Sequence, residues 1–154
     1  MRPREKTRLS RKLCEIGRSA ARINSVAAWP TYLAMGKKIL VVDDSPTIRQ
    51  QVTAVLGQAG FTPVEAVDGV DALTKVDAAT ALMICDVNMP RMNGLELIEK
   101  LHADARHAGL PVVMLTTEGD PAHIDRAKRA GAKGWIIKPF KGELLVAAVR
   151  KIAR

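Results

Sequence analysis

Residues 38–46 read KILVVDDSP, and this stretch decides the fold. Four consecutive apolar residues are followed by two carboxylates, a serine and a proline. A continuous apolar run of this length is typical of a parallel strand that is buried on both faces. Ser45 is a good N-cap residue, and Pro46 suits the first position of a helix. The stretch therefore predicts a buried strand over 38–42, an acidic turn and a helix that begins immediately after it.

Three further apolar runs of strand length end in a polar residue, at Asp86, Thr116 and Lys138. Segments with apolar residues at helical spacing separate them. The predicted strands cover 38–42, 62–66, 81–85, 112–115 and 134–137. The predicted helices cover about 46–59, 68–79, 94–109 and 121–130, and a last one runs from 140 onward.

Five strand–helix repeats with short connections predict a doubly wound α/β fold, because right-handed crossovers place helices on both faces of a parallel sheet. We expect the flavodoxin-like (βα)5 arrangement, a five-stranded parallel sheet in the order 2-1-3-4-5. Strands one and three are then neighbours at the switch point, where ligands bind outside the carboxyl ends of the strands. Asp43, Asp44 and Asp86 would meet there, with Thr116 and Lys138 from the adjoining strands.

Three carboxylates, a hydroxyl and an ammonium form a site suited to Mg²⁺ and a phosphoryl group. Magnesium prefers oxygen ligands and is usually held by one or two carboxylates together with phosphate oxygens. One carboxylate can attack phosphorus while the metal, Lys138 and the Thr116 hydroxyl stabilise the charge on the transferring oxygens. The product would be an aspartyl phosphate.

Length and composition indicate one globular domain. The chain has 154 residues, 47% of them hydrophobic, and no apolar stretch approaches the roughly 18 residues that span a bilayer. The two cysteines lack any partner spacing, so we expect neither a disulfide framework nor a zinc site. The three histidines, His102, His107 and His123, also lack ligand spacing, and we expect all three at the surface. These features favour a soluble, cytoplasmic monomer.

The net charge of +8 is concentrated at the front of the chain. Residues 1–36 hold eight Lys or Arg and two acidic residues, whereas 37–154 hold 16 basic and 14 acidic residues. We therefore expect no nucleic-acid binding by the core domain over 37–154.

Residues 1–36 form a basic extension that we expect to be either disordered or not translated. Met35 lies where the domain pattern begins, so translation starting at Met35 is the favoured interpretation. If the segment is translated, its apolar residues at spacings of four and three would give a basic amphipathic helix weakened by Gly17. Those residues are Leu9, Leu13, Ile16, Ala20 and Ile23. Such a helix would suit a membrane surface, a nucleic acid or an organellar targeting role.

Four motifs together resemble the receiver domain of two-component response regulators. They are VDDS at 42–45, DVNMP at 86–90 with Gly94, MLTTE at 114–118 and WIIKPF at 135–140. The resemblance covers about 37–154, and this combination in this order is highly specific. It is most similar to the stand-alone chemotaxis regulators of the CheY type, since no output domain follows. The resemblance implies a signalling protein and not an enzyme, whose chemistry is limited to Mg²⁺-dependent self-phosphorylation and autodephosphorylation.

The resemblance also implies roles for individual residues. Asp86 matches the phosphoacceptor, and Asp44 matches the direct magnesium ligand. Asp43 matches the acidic neighbour that usually acts through water, and Asn88 matches the position that lends a backbone carbonyl to the metal. Lys138, whose bond to the following proline is cis in the family, would contact the phosphoryl oxygens.

Three more positions match the switch residues of the family. Thr116 would turn its hydroxyl to the phosphoryl group, and Trp135 matches the aromatic position that moves inward with the threonine. The side chains of Asn88 and Glu118 occupy positions that tune the lifetime of the phosphoryl group.

The partner implied by the resemblance is a sensor histidine kinase of the chemotaxis type, which would present a phosphohistidine. The target would be the flagellar switch, bound through the fourth helix, fifth strand and fifth helix, although a phosphate sink in the same pathway is equally compatible.

One alternative function is that of a small phosphatase of the haloacid dehalogenase type with Asp43 as nucleophile, but Ser45 stands where its general acid is expected. The other is a receiver whose basic N-terminal arm binds DNA or a membrane.

Overall fold

The computed structural model describes residues 36–154, and the structural statements that follow concern that part of the chain. The amphipathic helix predicted near Leu9–Ile23 and the translational start predicted at Met35 lie outside it. Within it, strands and helices alternate five times. They are β1 (Lys38–Val42), α1 (Pro46–Gln58), β2 (Thr62–Ala66), α2 (Gly69–Lys75), β3 (Thr80–Cys85), α3 (Gly94–Ala103), β4 (Val112–Thr116), α4 (Pro121–Arg129), β5 (Gly134–Ile137) and α5 (Gly142–Ile152).

The five strands form one parallel sheet in the order β2-β1-β3-β4-β5, which confirms the predicted topology. Val42, the last residue of β1, pairs with Ala66 of β2 and with Cys85 of β3. Thr116 at the end of β4 pairs with Ile137 at the end of β5. The register therefore brings the residues that follow β1 and β3 to the same edge of the sheet.

Alternate strand residues point to opposite faces of the sheet, and helices bury both faces. Leu40 and Met83 pack with α2, α3 and α4 on one face. Ile39 and Ile84 pack with α1 and α5 on the other. Each fully buried leucine or isoleucine contributes about 1.5–3 kcal/mol relative to an exposed one, so these two layers provide most of the driving force for folding.

Side-chain caps fix where the helices begin. Ser45 accepts a hydrogen bond from the Ile48 amide at the start of α1, and Asp68, Asn93 and Asp120 do the same for α2, α3 and α4. Helix α5 has no side-chain cap. Because Ser45 directly follows the two aspartates after β1, its cap also sets the chain direction at the edge where the acidic residues meet.

Two helices end earlier than the sequence predicts. The helix predicted over 68–79 ends at Lys75, since the Asp77 carboxylate accepts hydrogen bonds from Ala79 N and Thr80 Oγ1 and draws the backbone into a turn. The helix predicted to reach 109 ends at Ala103, where the following Asp104 carboxylate accepts a hydrogen bond from the Arg106 amide.

One histidine is placed differently from the prediction. His102 is half-buried, and its two ring nitrogens lie 2.6 Å and 2.9 Å from the carbonyl oxygens of Ala130 and Leu110. It therefore connects α3 to the segments that flank β4 and β5, and the expectation of a surface residue was wrong for it.

Candidate functional site

The carboxyl ends of β1 and β3 bring three aspartates together. Carboxylate oxygens of Asp43, Asp44 and Asp86 lie within 4.8 Å of one another. Asp43 and Asp86 are buried, at 3% and 8% exposure, whereas Asp44 is exposed. The amide of Asp86 donates to the carbonyl oxygen of Val42 at 3.0 Å, which fixes the two strand ends against each other. This is the convergence that the strand pattern predicts.

Lys138 reaches the cluster from the end of β5. Its Nζ donates to Asp43 Oδ2 at 2.6 Å and to Asp86 Oδ2 at 3.2 Å. The peptide bond from Lys138 to Pro139 is cis, as the resemblance implies. The backbone amide of Lys138 donates to the carbonyl oxygen of Thr116, so β4 and β5 end side by side.

Burial and neighbouring charges shift the pKa values of the side chains at this site. Burial raises the pKa of Asp43, although hydrogen bonds from Lys138 and the Ser45 amide oppose that rise and the charge of Asp86 adds to it. Burial lowers the pKa of Lys138, but its hydrogen bond to Asp43 and the charges of both aspartates outweigh burial, so the net shift is upward. Three carboxylates facing one ammonium leave an excess of negative charge, which a divalent cation can neutralise.

The loop between β3 and α3 holds the Asp86 carboxylate from the other side. The Val87 amide donates to Asp86 Oδ1 at 2.7 Å. A Cβ at Gly94 would overlap with the Asp86 carbonyl oxygen, so only glycine lets α3 begin this close to the strand end. Asn88 lies exposed in this loop. Asp86 thus keeps one oxygen toward the loop and one toward Lys138.

Thr116, Glu118 and Trp135 form a second, linked group at the end of β4. Thr116 is fully buried, and its Oγ1 accepts a hydrogen bond from the Glu118 amide at 3.1 Å. The indole Nε1 of Trp135 donates to the Glu118 carbonyl oxygen at 3.1 Å. Among the residues that the structure describes, the Thr116 hydroxyl makes no hydrogen bond to Asp86. The group is adjacent to the aspartates, but the Thr116 hydroxyl and the Trp135 indole both bond to Glu118 in the loop after β4.

One residue at the site was not singled out from the sequence. Arg49 of α1 donates from Nη1 to the Asp43 carbonyl oxygen at 2.7 Å. The signal that could have found it is its charge, because a cation close to the N-terminus of a helix is unfavourable unless something else engages it.

The arrangement can hold a small hard cation and accept a phosphoryl group. Oxygen donors gathered in a partly buried site are the ligand set that Mg²⁺ prefers. A carboxylate beside a lysine ammonium can attack phosphorus while the ammonium stabilises charge on the oxygens. The sheet and this acidic edge define a flavodoxin-like α/β protein with its site at the switch point between β1 and β3.

The sequence model of a protein family, the response regulator receiver domain, matches residues 39–150, and the chain belongs to this family. Chemotaxis protein CheY1 of Helicobacter pylori is 44% identical over 111 residues, covering 70% of this chain and 90% of that protein. The chemotaxis protein CheY homolog of Campylobacter jejuni is also 44% identical, over 112 residues, covering 70% of this chain and 85% of that protein.

Solved structures agree with this assignment. The structure of Vibrio cholerae chemotaxis protein CheY4 has a TM-score of 0.72 and 40% sequence identity, covering 77% of this chain and 99% of that one. The protein is therefore a CheY-like response regulator, a signalling protein rather than an enzyme, and the phosphatase alternative is set aside. Within the described residues, no helix has both the length and the apolar character needed to cross a membrane.

Proposed function

We propose that the protein accepts a phosphoryl group on Asp86 from a chemotaxis-type sensor histidine kinase in the cytoplasm and thereby switches its binding to a target. In this proposal the receiver domain spans 37–154, and residues 1–36 lie outside it. The observation that carries the proposal is the contact of Lys138 with both Asp43 and Asp86 inside the three-aspartate cluster.

The transfer step uses the groups that surround Asp86. A carboxylate oxygen of Asp86 would attack phosphorus, the bond from phosphorus to the histidine nitrogen would break, and the imidazole would leave with its electron pair and take up a proton. Lys138 would stabilise the negative charge on the transferring oxygens. Carboxylates of Asp43, Asp44 and Asp86 and the Asn88 carbonyl would hold Mg²⁺, which when bound neutralises charge on those oxygens.

The switch would begin at Thr116. Its hydroxyl would leave the Glu118 amide for the phosphoryl group, and an inward move of Trp135 would break the indole hydrogen bond to the Glu118 carbonyl. The side chains of Asn88 and Glu118 would set how readily water reaches the phosphoryl group. The phosphoryl group adds a charge of about −1.5 to −2, enough to shift a pre-existing equilibrium between two conformations.

The surface of α4, β5 and α5 would bind the target. Ile137 of β5 and Leu144 of α5 offer apolar contact area on this surface, at 47% and 63% exposure. The resemblance to the stand-alone chemotaxis regulators implies the flagellar switch as the target, and a phosphate sink within chemotaxis is the second role we consider.

Phosphotransfer to the Asp86→Asn variant tests the proposal. A chemotaxis-type histidine kinase labelled with radioactive phosphate is mixed with the protein and Mg²⁺. We expect the natural protein and Asp125→Asn, a matched change at an exposed aspartate of α4, to be labelled alike. Asp86→Asn should take up no label, and undiminished labelling of that variant would overturn the proposal.

A further inference from the structure

Arg49 occupies an unusual place for a charged residue. It lies near the beginning of α1, where the helix dipole disfavours a cation, and only 12% of its side chain is exposed. Arginine is rarely buried unless its donors are satisfied, so the surroundings must engage the guanidinium.

The guanidinium joins two strands. Nη1 donates to the carbonyl oxygen of Asp43 just beyond β1, at 2.7 Å, and Nε donates to Glu65 Oε2 on β2, at 3.0 Å. The Glu65 side chain is 42% exposed, so it retains part of its hydration while it anchors the arginine. Because Glu65 balances its charge, Arg49 differs from Lys138, which pairs directly with the aspartates of the cluster.

The contact completes the restraint of Asp43. The Asp43 amide donates to the Ala66 carbonyl at 3.2 Å. Its carboxylate accepts from the Ser45 amide and from Lys138 Nζ. The hydrogen bond from Arg49 holds the remaining polar atom, the carbonyl oxygen.

That carbonyl belongs to the peptide group that joins Asp43 to Asp44. A peptide group is planar, so fixing its oxygen fixes the direction in which the chain enters Asp44. Among the described residues, the exposed Asp44 carboxylate makes no hydrogen bond of its own. Its position relative to Asp86 therefore depends on the backbone that Arg49 holds.

We propose that Arg49 is a positioning residue for the cation site, which orients the Asp43–Asp44 peptide from an anchor on Glu65 and so sets the affinity for Mg²⁺. This inference rests on the proposed function, since it concerns the same cluster. Groups that orient ligands from behind typically change metal affinity by about 10- to 100-fold when they are removed.

The test compares Arg49→Met with Arg126→Met in the full chain. Arg126 makes a similar ion pair with Glu99, at 2.7 Å, on the outside of α3 and α4. Binding of Mg²⁺ is measured by calorimetry, and phosphotransfer from the labelled kinase is followed against Mg²⁺ concentration. We expect about a tenfold weaker Mg²⁺ affinity and a tenfold higher Mg²⁺ midpoint for Arg49→Met, and no change for Arg126→Met.

A purely structural role would give a different result. Loss of folded protein lowers the amplitude of labelling and leaves the Mg²⁺ midpoint unchanged, and that outcome would overturn the inference. Should Arg49→Met fail to fold, Arg49→Lys serves instead, because a lysine keeps the charge but lacks the planar fork that reaches both partners. Its midpoint should also rise, and an unchanged one would again overturn the inference.

Failure of the proposed function is seen separately. If the natural protein is not labelled at Asp86, the phosphotransfer proposal fails, while the calorimetric titration still decides the role of Arg49.

Discussion

Two lysine–aspartate pairs of almost equal length lie at opposite ends of the sheet. At the amino end, Lys38 Nζ lies 2.7 Å from Asp77 Oδ2, and at the carboxyl end Lys138 Nζ lies 2.6 Å from Asp43 Oδ2. The aspartate side chain of the first pair is 54% exposed and that of the second is 4% exposed. The same chemistry is thus present in water at one end and buried at the other.

The two aspartates respond in opposite directions. The hydrogen bond from Lys38 lowers the pKa of Asp77, whereas burial raises the pKa of Asp43 in spite of its lysine. A carboxylate whose ionised form the fold disfavours is retained at some cost in stability, and such residues cluster at functional sites. The carboxyl end of the sheet is therefore arranged for a positive ligand, and the amino end only for stability.

Replacing each lysine in turn should give the largest difference between the two ends of the sheet. Lys138→Met removes the ammonium that contacts Asp86, so we expect phosphotransfer to slow by about 100-fold, equivalent to about 2.7 kcal/mol in the barrier. Lys38→Met removes the same side chain from the amino end and should leave the rate unchanged. The measurement is the initial rate of label transfer from a phosphorylated histidine kinase, with circular dichroism to verify folding. Equal slowing of both variants would contradict the distinction between the two ends.

Mg²⁺ should stabilise the folded protein only by binding at the carboxyl end of the sheet. At a concentration ten times the dissociation constant, a ligand that binds the folded state alone adds about 1.4 kcal/mol to the free energy of unfolding. We expect this gain for the natural protein and for Asp77→Asn, and its loss for Asp44→Asn, which changes an exposed residue of the cluster. Urea unfolding with Mg²⁺ and with a chelator measures it. A gain that survives Asp44→Asn would place the bound cation elsewhere.

The sequence predicts the sheet and the converging aspartates well, for a clear physical reason. Strands buried on both faces need continuous apolar residues, so β1, β3 and β4 can be recognised in the sequence. A polar residue at the end of each marks the carboxyl edge of the sheet. Asp43, Asp86 and Lys138 follow from that edge and from the resemblance. Helix ends are less predictable, because a side chain such as Asp77 can capture the backbone and end α2 at Lys75.

Long-range contacts of individual polar groups could not be predicted from the repeat pattern. Arg49 occupies a polar position in the repeat of α1, and nothing in the repeat shows that its guanidinium reaches the Asp43 carbonyl and Glu65. The hydrogen bond from Trp135 to the Glu118 carbonyl joins residues 17 apart and depends on how β5 lies beside β4. Such contacts arise from tertiary packing and not from local pattern.

The smallest expected effect is the most direct check on the two pKa shifts. In Mg²⁺-free buffer at pH 7, Asp43→Asn removes a charge whose ionised form burial disfavours, and we expect a slightly higher free energy of unfolding than in the natural protein. Asp77→Asn removes a favourable charge and should lower the melting temperature slightly. Thermal and urea unfolding of both variants against the natural protein measure the two signs.

The pH dependence should also have opposite directions. The folded protein binds the Asp43 proton more tightly than the unfolded chain does, so the natural protein loses stability as the pH rises from about 3.9 through the raised pKa. The advantage of Asp43→Asn should therefore be absent at low pH and grow over that interval. Asp77 has a lowered pKa, so its contribution is present above about pH 3.9 and disappears as the pH falls through the folded value. Parallel pH profiles for the two variants would mean that burial does not distinguish Asp43 from Asp77.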